Sequence, residues 1–127
     1  MKVLVSDNLS ELGVQIFRDA PGIEVDVKVG LSPDELKQII PEYHALAIRG
    51  ATKVTADVIE AATNLMVVGR AGTGLDNVDI RAASKRGIVV MNTPGGNTVT
   101  TAEHTISMML ALVRNIPQAC ASMKEGK

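Results

Sequence analysis

Short apolar, β-branched runs recur along the chain at residues 3–5, 23–27, 45–48, 65–68 and 88–91, each followed by a cluster of Gly, Pro, Asn or Asp. Runs of this length between turn formers predict five strands. Between them the apolar spacing becomes helical: Leu9, Leu12, Ile16, Phe17 and Ala20 recur at i, i+3, i+7, i+8 and i+11, and Leu36, Ile39 and Ile40 at i, i+3 and i+4. Ser32-Pro33-Asp34-Glu35 supplies a capping serine, a proline for the first helical position and a glutamate able to reach back to the cap. Asn8 with Glu11, Thr55 and Asp76 read as further caps. Gly87 after Lys85-Arg86 reads as a helix stop, with cations in the last turn and a residue free to take positive φ.

Five strands alternating with four helices imply right-handed crossovers and a parallel sheet covered on both faces. The expectation is a doubly wound, flavodoxin-like α/β domain with strand order 2-1-3-4-5. Strands 1, 3 and 4 are nearly continuous apolar runs, as central parallel strands are, whereas Ile23-Glu24-Val25-Asp26-Val27 alternates like an edge strand. After Thr93-Pro94-Gly95-Gly96-Asn97 the rhythm breaks. A capping box at Thr100-Thr101-Ala102-Glu103 predicts a long C-terminal helix to about Asn115. Ile106, Met108, Met109, Leu110, Ala111, Leu112, Val113 and Ile116 make it apolar on more than one face, which suits burial on several sides. A polar tail follows, and there is no internal repeat.

The 127 residues carry 13 Lys plus Arg against 14 Asp plus Glu, a net charge of −1, and 46% hydrophobic residues. A chain of this size buries roughly 68% of its unfolded surface and needs no disulfide or metal to hold a core. Without a basic excess or aromatic-interleaved basic run it offers nucleic acid no surface. One Cys, Cys120, and two His leave no intramolecular disulfide and no zinc ligand set, so no metal is expected and a reducing cytoplasm fits. The opening MKVLVSDN is too short an apolar stretch for a signal peptide or a membrane span.

In an open parallel sheet, ligands bind beyond the carboxyl ends of the strands. The loops so placed carry Ser6-Asp7-Asn8, Arg49-Gly50-Ala51-Thr52, residues 69–74 and residues 92–98. Arg49 and Arg70 would leave corresponding ends of adjacent strands, so their guanidinium forks can converge on a phosphate or carboxylate; separately, each reads equally well as a solvated surface arginine. Gly69-x-x-Gly72-x-Gly74 does not fit the dinucleotide fingerprint of glycines at i, i+2 and i+5, and no other triple does. It reads as an anion-binding nest allowing positive φ and close backbone approach, or as a tight turn into the next helix. Asn97 either caps the long helix or meets a ligand, capping being the simpler reading. His104 and Glu103 project about 100° apart and form no dyad, so His104 reads as structural. His44 precedes strand 3, at the wrong end of the sheet, and Cys120 reads as buried or inert. No nucleophile, base and orienter assemble. A response-regulator receiver has the same sheet, but it needs an aspartate and a lysine where this chain has Arg49 and Asn92.

VGRAGTGLDNVD at 68–79, IRGATKVTADVIEAA at 48–62 and GIVVMNTPGGNTVTTAEHTISMMLALVRNIPQA at 87–119 resemble the NAD-dependent D-2-hydroxyacid dehydrogenases, and the first and last segments resemble the D-3-phosphoglycerate dehydrogenases among them. The resemblance spans the whole chain. It implies an N-terminal substrate-binding domain over 1–98 and an interdomain or dimerisation helix with a tail over 99–127, the nucleotide-binding domain being absent. It further implies 3-phosphoglycerate as substrate, NAD as cofactor of the full-length enzyme, serine biosynthesis as context, and homo-oligomerisation through the 99–116 helix. Arg49 and Arg70 would hold the 3-phosphate, and the backbone of Arg70, Ala71 and Gly72 on to Gly74 would meet the substrate carboxylate. Asn97 would line the pocket and Thr73 would touch the nicotinamide end of the cofactor. The family's catalytic Arg, Glu and His lie in the later domain, so no catalytic residue is expected here and the chain alone should be inactive. Two departures are Gly50, where relatives often carry Ser, and Gly95, an added flexible point. The alternatives are another D-2-hydroxyacid dehydrogenase, such as a glyoxylate or hydroxypyruvate reductase, and a non-catalytic interaction module from a truncated gene.

Overall fold

The computed structural model describes residues 1–127, which form two compact units, Met1–Pro94 and Gly95–Lys127. In the first, β1 (Lys2–Val5), β2 (Glu24–Val27), β3 (Ala45–Ile48), β4 (Val67–Arg70) and β5 (Val89–Met91) make one sheet in the order β2-β1-β3-β4-β5, every pairing parallel. This is the expected doubly wound order, with β2 at one edge. Helices α1 (Glu11–Asp19), α2 (Pro33–Ile39), α3 (Ala56–Ala61) and α4 (Ile80–Lys85) make the crossovers, and a 3₁₀ turn at Ile40–Glu42 extends α2.

The two-residue period of a strand sorts the core. Leu4, Leu46, Ile48 and Val68 face Leu36, Ile40, Val58, Ile59 and Ala83 in the larger cluster. Val5 and Ala47 point the other way, onto Val14 and Phe17 of α1. Coverage of the two faces is therefore uneven. Val89 and Met91, in register with Val67 and Gly69 on the α1 face, are 56% and 53% exposed. Tyr43 is wholly buried just before β3 and donates to Asp26 Oδ2 at 2.7 Å, while Lys2 Nζ lies 4.9 Å from its ring centroid. Burial, then the bond to Asp26, hold the Tyr43 phenol above its usual pKa.

Local signals prevail where nothing competes with them. Ser32 and Glu35 close the full capping box, and Gly87 takes φ +71° after α4. Other caps differ. Ser10, not Asn8, accepts from the Gly13 N–H and starts α1; Asp79, not Asp76, accepts from the Ala82 N–H and starts α4. Asp76 is drawn to Arg70 instead. Thr55 sits at the N-cap of α3 but makes no side-chain cap bond. β4 begins at Val67 rather than 65, because Leu65 is buried in the turn leaving α3, and it runs on through Gly69 and Arg70, which pair with Ala47 and Ile48.

The second unit opens at Gly95, whose φ of +82° is one that glycine adopts freely. Helix α5 spans Thr98–Val113 and so starts before the expected box; Thr100 lies inside it and donates to the Asn97 carbonyl at 3.1 Å. Asn115 then takes the left-handed conformation at φ 51°, and Pro117 stands in the first turn of a further helix, α6 (Ile116–Lys124), where a tail was expected. No residue of α5 is buried, and Ile106, Met109, Leu110 and Val113 are all more than half exposed. Cys120, expected buried or inert, is exposed on α6, and His104 is exposed on α5. No helix is long and apolar enough to cross a membrane.

Candidate functional site

At the carboxyl end of β1, Asp7 is 3% exposed, which is costly for a carboxylate unless it is fully bonded. Its partners come from the loop after β3. The carboxylate accepts the N–H of Arg49 at 2.6 Å, of Ala51 at 3.2 Å and of Thr52 at 3.0 Å, together with the Thr52 hydroxyl at 2.6 Å. Since Thr52 spends its one hydroxyl proton on Asp7, Ser6 Oγ is the donor in the buried 2.9 Å contact between Ser6 and Thr52. Burial pushes the Asp7 pKa up, but the Thr52 hydroxyl and the three N–H groups outweigh it, and the carboxyl titrates below its ordinary range.

The carbonyl side of the same loop is held by Arg70 at the end of β4 and by Asn77 ahead of α4. The Arg49 carbonyl accepts from Arg70 Nε at 2.9 Å and from Asn77 Nδ2 at 2.8 Å, and the same Asn77 nitrogen donates to the Thr52 carbonyl at 2.7 Å. Two carbonyl acceptors fix which end of the amide is nitrogen, because the opposite assignment would set oxygen against oxygen. Asn77 Oδ1 is left buried without a partner.

The β3–β4 register pairs Ile48 with Arg70, so Arg49 and Arg70 leave neighbouring strand ends as expected. Their side chains then part. Arg70, 14% exposed, folds back over its own loop: Nε bonds the Arg49 carbonyl, Nη1 donates to the Gly74 carbonyl at 2.5 Å, and Nη2 lies 3.6 Å from Asp76 Oδ1. Arg49 is exposed and leans toward β1, its Nη1 3.5 Å from the Asn8 carbonyl, the limit of a hydrogen bond. The structure thus joins the Arg70 side chain to the Arg49 backbone, while the two forks share no partner.

That fold-back explains the glycines differently from a nest. Gly69, Gly72 and Gly74 all have negative φ. The last two supply room: a Cβ on Gly72 would lie 2.7 Å from Arg70 Nη1, and one on Gly74 2.9 Å from Asp76 Oδ1, whereas one on Gly69 would meet nothing within 4 Å. The Ala71 and Gly72 N–H groups are bonded to the Ile48 and Arg70 carbonyls, at 2.8 and 2.9 Å, rather than open to an anion. The Gly72 bond spans only two residues, a poor geometry readily given up. Asn92 Nδ2 donates to the Thr73 carbonyl at 2.7 Å, and the Thr93 N–H to the Gly72 carbonyl at 3.0 Å, tying the β5 end to this loop.

Arg49, Arg70, Ala71, Gly72 and Thr73 therefore gather on neighbouring loops of the first unit, and Asn97 heads α5 in the second without a side-chain cap bond. His44 accepts the Lys2 N–H at 3.1 Å at the amino end of the sheet, away from the site. Sequence reasoning missed Asn77 altogether, and it put Asp7, Thr52 and Asn92 in the ligand-facing loops without assigning them a role. The signal available was a polar residue directly after an apolar strand, which Ser6-Asp7 and Asn92 share.

Residues 3–126 match the family described as D-isomer specific 2-hydroxyacid dehydrogenase, catalytic domain. The chain belongs to this family. Within the 2-hydroxyacid dehydrogenases it is 56% identical, over 127 residues, to the D-3-phosphoglycerate dehydrogenase of Archaeoglobus fulgidus, covering 100% of this chain and 24% of that protein. Among solved structures, a Thermus thermophilus protein superposes with a TM-score of 0.85 at 34% identity, over 99% of this chain and 41% of that one. The NAD⁺-bound 3-phosphoglycerate dehydrogenase of Entamoeba histolytica does so with a TM-score of 0.75 at 32% identity, over 87% of this chain and 38% of that one. The chain spans about a quarter of the length of the curated 2-hydroxyacid dehydrogenases it matches.

Proposed function

We propose that this chain is the substrate-binding part of a D-3-phosphoglycerate dehydrogenase, which oxidises the 2-hydroxyl of 3-phosphoglycerate with NAD in serine biosynthesis. The observation that carries this is the pair of arginines at adjacent ends of β3 and β4 in a family of 2-hydroxyacid dehydrogenases. A small acid such as glyoxylate has no remote phosphate to occupy them; 3-phosphoglycerate has one. Arg49, loosely bonded and exposed, swings from the Asn8 carbonyl toward the 3-phosphate, and Arg70 presents its remaining Nη protons. The substrate carboxylate meets the loop from Arg70 to Gly74, displacing the weak Gly72 bond. Holding the remote phosphate fixes C2, so that binding energy far from the reacting carbon serves the chemical step.

NAD, when bound, supplies the hydride acceptor. These residues fit it at one edge only: Thr73, exposed in the loop after β4, offers a hydroxyl, while no G-x-G-x-x-G run exists here to take a pyrophosphate. The cytoplasm suits such an enzyme, with neither nucleic acid nor membrane as partner.

The test is binding by the 127-residue chain. Titration calorimetry should show 3-phosphoglycerate bound at least about tenfold more tightly than glycerate, the scale of one charge-assisted hydrogen bond. Equal affinities would overturn the phosphate reading. Mixing the chain with 3-phosphoglycerate and NAD should form no NADH, since the hydride-transfer residues are not among these 127; a rate above the blank would show otherwise.

The proposed partner beyond substrate is a second copy, through the 99–116 helix. Ile106, Met109, Leu110 and Val113 expose a contiguous apolar stripe of the kind that favours association. Light scattering over a concentration series should show a dimer that Leu110→Glu abolishes. A strict monomer at high concentration, or a dimer indifferent to that change, would overturn the assignment.

A further inference from the structure

We propose that Asn77 is a positioning residue of the anion site, holding the Arg49 backbone where the Arg70 side chain can lock onto it. Asn77 touches no ligand in this role; it acts through the two arginines. The proposal rests on the anion reading of that site.

The geometry leaves little else for Asn77 to do. Its Nδ2 protons go to the carbonyls of Arg49 and Thr52, at 2.8 and 2.7 Å, and so brace the loop after β3 from the residue that precedes the buried Val78. The Arg49 carbonyl then has two donors, Asn77 Nδ2 and Arg70 Nε at 2.9 Å, which matches its two lone pairs. Fixing that oxygen fixes the base of the Arg70 fork, whose far end is taken by Gly74 and Asp76. On the opposite side Asp7 holds the N–H groups of Arg49, Ala51 and Thr52, so the segment carrying Arg49 is clamped through both halves of its peptide groups.

The amide oxygen shows what this arrangement costs. Asn77 Oδ1 is buried with no partner. A buried acceptor left unpaired is a net loss to stability, and native proteins hold few of them. An asparagine here is accounted for by its nitrogen, which donates to two carbonyls at once. Functional sites are where such local costs are retained.

The test uses the 127-residue chain, its Asn77→Ala variant and its Asn77→Asp variant, the last keeping the shape and reversing the polarity toward both carbonyls. Two quantities are read by nuclear magnetic resonance near pH 6, with the strand amide signals as a check of folding. One is hydrogen exchange at Arg70 Nε–H; the other is the dissociation constant for 3-phosphoglycerate. With strand signals unchanged, Asn77→Ala should speed exchange at Arg70 Nε–H and weaken 3-phosphoglycerate by about five- to tenfold, the scale of one lost hydrogen bond. Asn77→Asp should do at least as much; if it fails to fold, the alanine variant decides. A purely structural asparagine would lower the melting temperature and leave both readouts at the original value in the folded variant, which would overturn the proposal. Should the unaltered chain bind no 3-phosphoglycerate, the anion reading falls, and the Arg70 Nε–H exchange still decides whether Asn77 positions the arginine.

Discussion

Replacing Asp7 by Ala is expected to destabilise the Met1–Pro94 unit by about 3 kcal/mol, because it strips partners from buried donors at about 1–3 kcal/mol each. The loss concentrates at Thr52, which is 7% exposed and bonds Asp7 through both its N–H and its hydroxyl. Arg49 and Ala51 are exposed and recover water as a partner more easily. Asp7→Asn should cost nearly as much, since one acceptor oxygen becomes a donor facing donors. The effect carries a pH signature. Hydrogen bonds hold the folded Asp7 pKa below that of an unfolded aspartate, about 3.9. The stabilisation is therefore complete above that value and is lost as pH falls through the folded pKa. Urea unfolding across the acid range should show a gap between the original chain and Asp7→Asn that is full at neutral pH and narrows below about pH 4. Equal stability of the two at neutral pH would show that the carboxylate is not the clamp described.

The second large effect concerns the arginines, which the structure makes unequal. Removing either guanidinium should weaken 3-phosphoglycerate binding by about 1.5–3 kcal/mol, the scale of a charge-assisted hydrogen bond. Arg49→Ala should do only that, for the guanidinium it removes is bonded only to the Asn8 carbonyl, at 3.5 Å, and the backbone bonds of Arg49 stay. Arg70→Ala should also lower the melting temperature, because it frees the Gly74 carbonyl and one lone pair of the Arg49 carbonyl. Arg70→Lys should not restore binding: a single ammonium cannot reach both carbonyls as Nε and Nη1 do. Calorimetry on the three variants, with thermal melts beside it, separates these outcomes. Unchanged affinity in both alanine variants would dispose of the shared phosphate site, and rescue by lysine would show that charge alone matters.

Much of the fold was legible because its signals are local. The box at Ser32 and Glu35 and the positive φ of Gly87 concern residues within a turn of one another. The strand order followed from the continuous apolar runs of strands 1, 3 and 4 and the edge-like alternation of β2, and with it the neighbouring placement of Arg49 and Arg70 at carboxyl strand ends. The features that escaped are long-range. Asp7 reaches partners more than 40 residues on, and Asn77 reaches back 28 and 25, so no spacing in the sequence announces either. The glycines of the 69–74 loop show the same limit. Their number was noticed, but at Gly72 and Gly74 the reason is the Arg70 and Asp76 side chains lying close by, not the backbone angle that glycine usually signals. Asp76 was expected to cap a helix, which its residue type favours, and its charge is instead drawn toward Arg70. The end of the long helix near Asn115 was legible, but the helix after it was not, because a left-handed asparagine marks a break without saying whether a helix or a tail follows.

Tyr43 gives the chain an unusual optical property. With no Trp and a single Tyr, the 127 residues hold one chromophore of consequence near 280 nm, and it lies sealed inside the Met1–Pro94 unit against Asp26. Near-ultraviolet circular dichroism and tyrosine fluorescence are thereby blind to α5 and α6, while the far-ultraviolet helical band draws on them heavily. Recorded on one sample, the two signals follow the sheet unit and the terminal helices separately, with no label introduced.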